Sequence, residues 1–199
     1  MAHIDYYFST FSPFTFFAGL RMEAIAEKHG ATVTYKPLDL MALFARTGGT
    51  PPKDRHPSRI EYRKQELRRQ AKKLGITINP MPPGYPPNPA PSSYALIAAQ
   101  KAGGGNLGEL VQAYGRACWI EERNIGEDDV IADCLGQAGF DPGLAGGMML
   151  TEAEEYARNL EDAVNAGAFG APFYITDGDE RFWGQDRLDD LDLHLAGKL

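Results

Sequence analysis

Cysteine is scarce in this chain of 199 residues, which has only Cys118 and Cys134. The two are far apart and no CxxC pair occurs, so the chain lacks the neighbouring sulfurs that dithiol redox chemistry uses. Both cysteines fall within apolar segments of helical periodicity, where a free cysteine packs as a small hydrophobic residue. We therefore expect two buried, unreactive thiols.

Histidine, long apolar runs and targeting signals are also missing or sparse. The histidines are His3, His29, His56 and His194. None of them has a ligand spacing with cysteine or carboxylates, so no metal site is predicted. No apolar stretch approaches the length of a membrane span, and the first residues have neither the basic region nor the apolar core of a secretion signal. These absences predict a cytoplasmic protein without a membrane anchor.

Positive charge is in deficit, with 20 Lys and Arg against 27 Asp and Glu and a formal net charge of -7. Nucleic-acid binding depends on cations that neutralise phosphates, so this balance argues against a nucleic-acid partner. One basic run, 59–73, is interleaved with Glu61 and Glu66, which is typical of a solvated helix face. Arg59, at the start of that run, is placed to meet an anionic ligand.

The first forty residues carry a regular alternation of elements. His3–Phe8 is an apolar, aromatic strand, and Phe14–His29 has helical periodicity and is closed by Gly30. Ala31–Tyr35 is rich in β-branched residues and predicts a second strand that ends at Lys36 and Pro37. This order predicts a right-handed βαβ unit with parallel strands.

From Leu40 to Ala166 the pattern changes to helices and loops. A turn-rich stretch, 47–57, precedes a helix predicted over Ser58–Leu74, and a proline-dense loop follows at Asn79–Pro91. This loop either forms the wall of a site or serves as a stiff connector. Helical periodicity then recurs in Ser92–Lys101, Asn106–Glu122, Glu127–Ala138 and Leu144–Ala166.

Strand patterns return near the end of the chain. Ala171–Thr176 and Arg181–Trp183 read as a hairpin around a turn at Asp177–Asp179, and a last helix is predicted over Asp186–Gly197. A βαβ half and a ββα half with an all-helical insertion between them form an α/β, thioredoxin-like layout with a four-stranded mixed sheet. We assign 1–39 and 167–199 to the thioredoxin-like domain and 40–166 to the helical insertion.

Ser12 stands at the break between the first strand and the first helix, in the run IDYYFSTFSPFTFF. Pro13 suits a first helical turn, so Ser12 is placed as the N-cap, where its hydroxyl and unpaired backbone N–H groups can converge on an anion. An ordinary helix-capping serine is the competing interpretation. In a thioredoxin-like layout the pair Ala171-Pro172 lies beside this loop. Its X-Pro bond is a candidate for the cis form, and the Ala171 backbone could pair with a bound peptide.

Three segments resemble a known family: SPFTFFAG at 12–19, TGGTPPKDRHPSRIEYRKQEL at 47–67 and FGAPFYITDGDERFWGQDRLDDL at 169–191. They are similar to the 2-hydroxychromene-2-carboxylate isomerases and their relatives, the kappa-class glutathione transferases. The resemblance runs through nearly the whole chain in order, and FWGQDR is its most specific part. It implies glutathione as the cofactor and a homodimer as the assembly.

The resemblance also implies roles for individual residues. Ser12, flanked in the glutathione site by Pro13 and Phe14, would be the catalytic residue that hydrogen-bonds the glutathione sulfur and favours its thiolate. Ala171, followed by Pro172, would pair with the cysteinyl backbone. The remaining residues implied for the glutathione site are Gln185 and Asp186 at the γ-glutamyl end, Arg59 near the glycyl carboxylate, and Gly49.

Two of these positions carry alternatives. Asp186 is also a good N-cap for the last helix, which explains an aspartate there without any ligand. Many relatives have an asparagine at the position of Gly49, so a polar contact expected near glutathione is missing here. That departure concerns the identity of the substrate more than that of the cofactor.

A small aromatic substrate is implied as the partner of glutathione, and aromatic side chains are available to hold it. Phe11, Tyr85 and Trp119 are the pocket residues we select, with Phe14, Phe44 and Trp183 as further candidate walls. Each of these could equally be a core residue, because aromatic side chains also dominate cores.

Several functions remain open from the sequence. The first is a glutathione-dependent isomerase acting on 2-hydroxychromene-2-carboxylate or a related aromatic pyruvate. The second is a kappa-like glutathione transferase that conjugates an electrophile, and the third is a non-catalytic thioredoxin-fold protein that binds peptides. The sequence has neither the G-x-S-x-G elbow nor the histidine base of a serine hydrolase, and it lacks the cysteine pair of a dithiol oxidoreductase.

Overall fold

A mixed four-stranded sheet lies at the centre of the computed structural model, which describes residues 1–147 and 150–199. The strands are β1 (His3–Phe8), β2 (Thr32–Pro37), β3 (Phe173–Thr176) and β4 (Arg181–Trp183). Their order is β2-β1-β3-β4, with β1 parallel to β2 and antiparallel to β3, and β3 antiparallel to β4. The predicted α/β, thioredoxin-like fold is confirmed.

Helices cover both faces of this sheet. Their bounds are α1 Pro13–Ala18, α2 Arg21–His29, α3 Leu40–Thr47, α4 Pro57–Lys73, α5 Ala90–Ala102, α6 Leu107–Trp119, α7 Asp128–Gln137, α8 Leu150–Asn165 and α9 Leu188–Leu195. Short 3-10 turns lie at Pro52–Asp54, Pro142–Leu144 and Gln185–Arg187. Among the described residues, no helix combines the length and the apolar character needed to cross a membrane.

Alternation along the strands divides the buried side chains between the two faces. Tyr6 and Phe8 of β1 pack with Tyr174 of β3 in the larger cluster, which also contains the buried faces of α6 and α7. Tyr7 and Phe173 point to the opposite face and pack with residues of α3 and α8. The helical segment 40–166 therefore contributes to the core on both sides of the sheet.

The predicted helix 14–29 is wrong in one respect, because it is two helices. Gly19 adopts φ 60° and ψ -143° and ends α1, its N–H bonding to the Phe16 carbonyl. A residue with a side chain rarely takes this conformation, so the chain breaks here and α2 starts at Arg21. The result is a first helix of six residues.

Other elements also begin or end at different residues from those predicted. β2 continues through Lys36 to Pro37, which an edge strand tolerates because the missing N–H removes no ladder bond. β3 begins at Phe173 rather than at Ala171. Residues 148 and 149, part of the helix predicted over 144–166, lie outside the described residues. Of that predicted helix, the structure shows Leu150–Asn165 as α8.

The last helix also starts later than predicted. Gln185–Arg187 is a 3-10 turn, and α9 begins at Leu188 with no side-chain cap. The interpretation of Asp186 as its N-cap is therefore wrong. The physical reason is that Asp186 lies inside the preceding turn, so its side chain cannot reach the first N–H groups of α9.

Candidate active site

A cleft of about 390 Å³ opens where the loop after β1 meets the segment before β3. Seven separated stretches of the chain contribute to it. The lining residues are Phe11, Ser12, Pro13, Phe14, Leu40, Met41, Phe44, Pro51, Pro52, Lys53, Arg55, Arg63, Tyr85, Pro86, Gly170, Ala171 and Trp183. We refer to this space as the cleft.

Ser12 lies in the wall of the cleft and is also the N-cap of α1. Its side-chain oxygen accepts a hydrogen bond from the backbone N–H of Thr15, with 3.3 Å between the atoms. The residue is only 5% exposed. A hydroxyl has one hydrogen to donate, and within the described part of the chain no acceptor takes it. The capping role and the binding role are therefore compatible.

The backbone amides at the start of α1 contribute less to anion binding than the sequence predicts. Because α1 has six residues, its aligned peptide dipoles are few, and an anion near Ser12 gains little from a macrodipole. The nearby hydroxyl of Thr15 is buried and, among the described residues, has no hydrogen-bond partner. The Ser12 hydroxyl is the main donor that this loop presents to the cleft.

Ala171 lies across the cleft from this loop, and its bond to Pro172 is cis, as predicted. Its N–H and C=O take part in none of the hydrogen bonds in the described ranges. Pro172 is buried and does not line the cleft, and its carbonyl accepts the N–H of Gly184 at 2.9 Å. The Ala171 N–H and C=O, which belong to successive peptide units, are thus both free in a residue that lines the cleft together with Ser12.

Three cations line the cleft, and the sequence analysis assigned a role to none of them. Lys53, Arg55 and Arg63 form no ion pair with any carboxylate of the described residues. The Arg55 guanidinium lies 5.6 Å from the centroid of the Phe44 ring, and its Nε donates to the Thr50 carbonyl at 2.8 Å. The cleft is therefore electropositive and lacks a counter-ion of its own.

Burial affects the pKa of these arginines in the same direction. It lowers the pKa of Arg63, and it lowers that of Arg55, where the nearby charges of Arg59 and Arg63 add to the effect. Both groups remain charged at neutral pH, because the ordinary arginine pKa is far above it. A bound anion would compensate for the hydration that both groups lose and would reduce the repulsion between them.

Five aromatic residues also line the cleft. Phe11 and Tyr85 meet edge to face, with ring centroids 6.3 Å apart. The Trp183 ring lies against Gly170, where a Cβ would collide with the indole. Trp119, selected as a pocket residue, does not line the cleft. It is fully buried behind Tyr85, with centroids 5.5 Å apart, because its large apolar ring fills the core.

Besides Pro172, four residues implied for the glutathione site lie outside the lining of the cleft. Gln185 is buried, and Arg21 donates to its side-chain oxygen at 2.7 Å and to its backbone oxygen at 2.8 Å. Asp186 is exposed and pairs with Arg187 at 3.3 Å. Arg59 is exposed on α4, and Gly49 lies against Phe44.

The functional residues that sequence reasoning missed are chiefly Arg55 and Arg63. A signal for Arg63 was present, because it precedes the buried Leu67 and Ala71 by one and two helical turns. Tyr85 and Pro86, from the proline-dense loop, line the cleft, which agrees with the wall interpretation of that loop.

The cysteines take no part in the site. Both are free and buried, as predicted. Burial raises the pKa of Cys118 to about 12 and that of Cys134 to about 11. Within the described ranges there is also no cluster of His, Cys, Asp and Glu able to hold a metal ion.

The fold and the loop-borne cleft at the end of β1 define a thioredoxin-type domain with Ser12 in the wall of the cleft. A family model described as the DsbA-like thioredoxin domain matches residues 3–196, and the chain belongs to that family. The chain is 28% identical over 198 residues to a 2-hydroxychromene-2-carboxylate isomerase of Sphingobium xenophagum, covering 96% of this chain and 97% of the relative. It is 26% identical over 188 residues to the isomerase of that name from Pseudomonas putida, covering 93% and 90%.

Solved structures agree with this placement. A 2-hydroxychromene-2-carboxylate isomerase superposes with a TM-score of 0.77 and 25% identity, covering 98% of this chain and 95% of that one. The cytosolic disulfide reductase DsbM from Pseudomonas aeruginosa, solved with GSH, gives a TM-score of 0.68 and 18% identity, with 98% of both chains covered. The second likeness concerns the fold alone.

Proposed function

We propose that the protein is a glutathione-dependent isomerase acting on 2-hydroxychromene-2-carboxylate or a related aromatic pyruvate. The observation that carries this proposal is the Ser12 hydroxyl, which has a free hydrogen and faces an electropositive, aromatic-walled cleft. The isomerases to which the chain is similar act, by their names, on an aromatic carboxylate. A ring and a negative charge are the features that this cleft suits.

The residues present fit glutathione, which has a thiol, peptide bonds and two terminal carboxylates. Ser12 offers a hydroxyl to the sulfur, and Ala171 offers its free backbone N–H and C=O to the tripeptide backbone. Arg55 and Lys53 offer cations to a carboxylate. A volume of about 390 Å³ lies within the usual size of small-molecule sites, about 300–1,000 Å³.

Beyond the cleft, Gln185, Asp186 and Arg59 keep their proposed roles at the two ends of glutathione. Arg21 occupies the side-chain oxygen of Gln185, which leaves the amide NH₂ as the group that Gln185 can offer. Asp186 is exposed, so its carboxylate is accessible to an ammonium group. By the family resemblance, Arg59 matches a lysine near the glycyl carboxylate, and it lies near enough to Arg55 to affect that group's pKa.

When bound, glutathione supplies a thiolate that adds reversibly to a conjugated carbon of the substrate. Ser12 favours the ionised thiol by donating its hydrogen to the sulfur. Lowering a thiol pKa by about two units from its usual ~8.5 requires about 2.7 kcal/mol of preferential stabilisation of the anion. One or two charge-assisted hydrogen bonds of about 1.5–3 kcal/mol each are sufficient. The aromatic walls hold the substrate ring and exclude water.

Dithiol oxidoreduction is disfavoured by the positions of the sulfurs. Ser12 occupies the place of an attacking cysteine, and Cys118 and Cys134 are buried with raised pKa values. The protein therefore depends on the sulfur of its cofactor. Use of glutathione agrees with a cytoplasmic location, because the glutathione pool there is reducing. The family resemblance supports a homodimer, and sedimentation velocity can measure whether two chains associate.

The test is product analysis with a limiting amount of glutathione. An isomerase converts many equivalents of 2-hydroxychromene-2-carboxylate while the glutathione concentration stays constant. A transferase consumes glutathione one for one, and that result would replace the isomerase proposal with the kappa-like alternative. A peptide-binding protein would show neither reaction, and its binding would not respond to Ser12→Ala.

A further inference from the structure

Arg63 occupies a position in α4 where an apolar side chain is expected. It lies on the helix face that continues into Leu67 and Ala71, which are 2% and 5% exposed. Arg63 itself is half-buried and lines the cleft. A cation on the buried stripe of a helix is unfavourable unless a partner compensates for its lost hydration. The position therefore calls for an anion.

The described residues provide no such anion. Arg63 takes part in none of the ion pairs or hydrogen bonds of 1–147 and 150–199, although other cations of α4 do. Lys64 pairs with Glu61 at 3.6 Å, and Arg69 pairs with Glu66 at 2.7 Å. The Arg63 guanidinium lies over the Phe14 ring, whose centroid is 5.7 Å away. A ring face attracts a cation but leaves its N–H groups unpaired.

Tyr85 presents a second unused donor to the same space. Burial raises the pKa of its hydroxyl, and the nearby charges of Arg63 and Arg55 partly oppose that rise. The phenol is thus neutral at neutral pH, and in the described part of the chain its hydroxyl has no hydrogen-bond partner. A forked cation and a neutral O–H donor therefore face the aromatic interior of the cleft.

Arg55 is less suited to the same task. Its Nε already donates to the Thr50 carbonyl, so one edge of its planar fork is occupied. All the guanidinium N–H groups of Arg63 are without a partner among the described residues, and their planar arrangement matches the two oxygens of a carboxylate. The two arginines also supply one cation for each of two anionic ligands, a glutathione carboxylate and the carboxylate of a second substrate.

We propose that Arg63 is the specificity-determining residue that binds the carboxylate of the second substrate, with the Tyr85 hydroxyl as an additional donor and Phe14 beneath the substrate. This inference rests on the proposed function, since it assigns one end of the second substrate. It makes the negative charge of that substrate, and not its ring alone, the feature that the enzyme selects.

The test measures binding of trans-cinnamate and of its neutral analogue cinnamamide by titration calorimetry, with saturating glutathione present. The wild-type protein binds cinnamate at least tenfold more tightly than cinnamamide. Arg63→Gln weakens cinnamate binding about 10- to 100-fold, as expected for loss of charge-assisted hydrogen bonds, and leaves cinnamamide unchanged. Arg68→Gln, which removes the same charge from an exposed position of the same helix, changes neither.

Three results would overturn the proposal. They are equal wild-type affinity for acid and amide, undiminished cinnamate binding in Arg63→Gln, and equal loss of both ligands in that variant. Glutathione affinity is titrated separately and stays unchanged in Arg63→Gln. If that variant lost affinity for glutathione but still bound cinnamate as the wild type does, Arg63 would be assigned to the cofactor instead.

Two further measurements keep the test decisive. Arg63→Lys keeps the positive charge but loses the planar guanidinium, and it gives an intermediate cinnamate affinity. The wild-type comparison of cinnamate with cinnamamide needs no variant, so it does not depend on whether a variant folds. Neither titration depends on turnover. A wild-type protein that discriminates cinnamate through Arg63 but does not isomerise would contradict the proposed function and not the role of Arg63 in binding a carboxylate.

Discussion

The Phe44 ring fills the space that a side chain at Gly49 would need. A Cβ placed on Gly49 collides with the Cβ, Cγ and Cδ1 atoms of Phe44. Phe44 in turn lines the cleft and lies beneath the Arg55 guanidinium. A side chain at position 49 would therefore require the Phe44 ring, and with it part of the aromatic wall of the cleft, to move.

Gly49→Asn is expected to displace Phe44 and to lower the free energy of unfolding by about 1–3 kcal/mol, as overpacking does. Gly48→Asn is the matched control. Gly48 has φ 77°, which asparagine tolerates better than most residues, and a Cβ there meets nothing within 4 Å. Urea unfolding of both variants gives the comparison, and equal losses of stability would contradict the role assigned to Phe44.

Ser12→Ala is expected to raise the thiol pKa of bound glutathione by about one to two units, the equivalent of one charge-assisted hydrogen bond. The ultraviolet absorbance of the thiolate, followed against pH in the complex, measures this pKa. Loss of the N-cap also lowers stability by about 1 kcal/mol, which a folded domain tolerates.

Thr15→Val is the control for that experiment. It removes a hydroxyl from the same turn that is buried without a partner among the described residues. Stability is expected to stay constant or to rise, because an unsatisfied buried hydroxyl is replaced by a methyl group of similar shape. A thiol pKa that moves with Thr15→Val and not with Ser12→Ala would place the sulfur elsewhere.

The two cysteines are expected to be inert to thiol reagents in the native state. With a pKa of about 11, Cys134 is ionised in about one molecule in a thousand at pH 8, and Cys118 less often still. Reaction with an aromatic disulfide reagent should release about two equivalents only after the chain is unfolded in guanidinium. Rapid native labelling would show that the helices around these thiols open more readily than their burial indicates.

Glu23 is expected to make stability fall as the pH rises. Burial raises the pKa of its carboxyl above the ordinary value of 4.5, although the Tyr35 hydroxyl donates to it at 2.9 Å. An acid whose folded-state pKa is raised stabilises the fold below its unfolded pKa, and that contribution disappears as the pH rises through the folded value. Glu23→Gln keeps an acceptor for Tyr35 and stays neutral.

The measurement is the free energy of unfolding of both proteins from pH 4 to pH 7. The wild type should lose stability relative to Glu23→Gln across this range. Parallel curves would show that the carboxyl ionises at its ordinary pKa. Glu109, the other acid that raises the pKa of Glu23, is left in place in both proteins.

The order of strands and helices could be predicted because each pattern is local. Alternation in β1 and helical periodicity in α4 to α7 depend on neighbouring residues alone. The break at Gly19 was missed because an isolated glycine is also tolerated inside a helix, and only the packing of α1 decides the matter.

The cleft was harder to predict, because its members depend on how whole elements are oriented. Arg59 and Arg63 are one turn apart on the same face of α4, yet Arg59, near the start of the helix, is exposed, and Arg63 lines the cleft. Trp119 and Tyr85 are both aromatic residues of the insertion, yet one is a core residue and the other a wall of the cleft. Sequence patterns alone do not separate these cases.

The pairing of β1 also has a consequence for biosynthesis. Ile4 pairs with Val33 on one side and with Thr176 on the other. A nascent chain can join β1 to β2 early, but the second edge of β1 stays unpaired until nearly all the helices have left the ribosome. A chain that stops before β3 carries the Ser12 hydroxyl and the arginines without Ala171 opposite them. Completion of the sheet and completion of the site are thus the same late event.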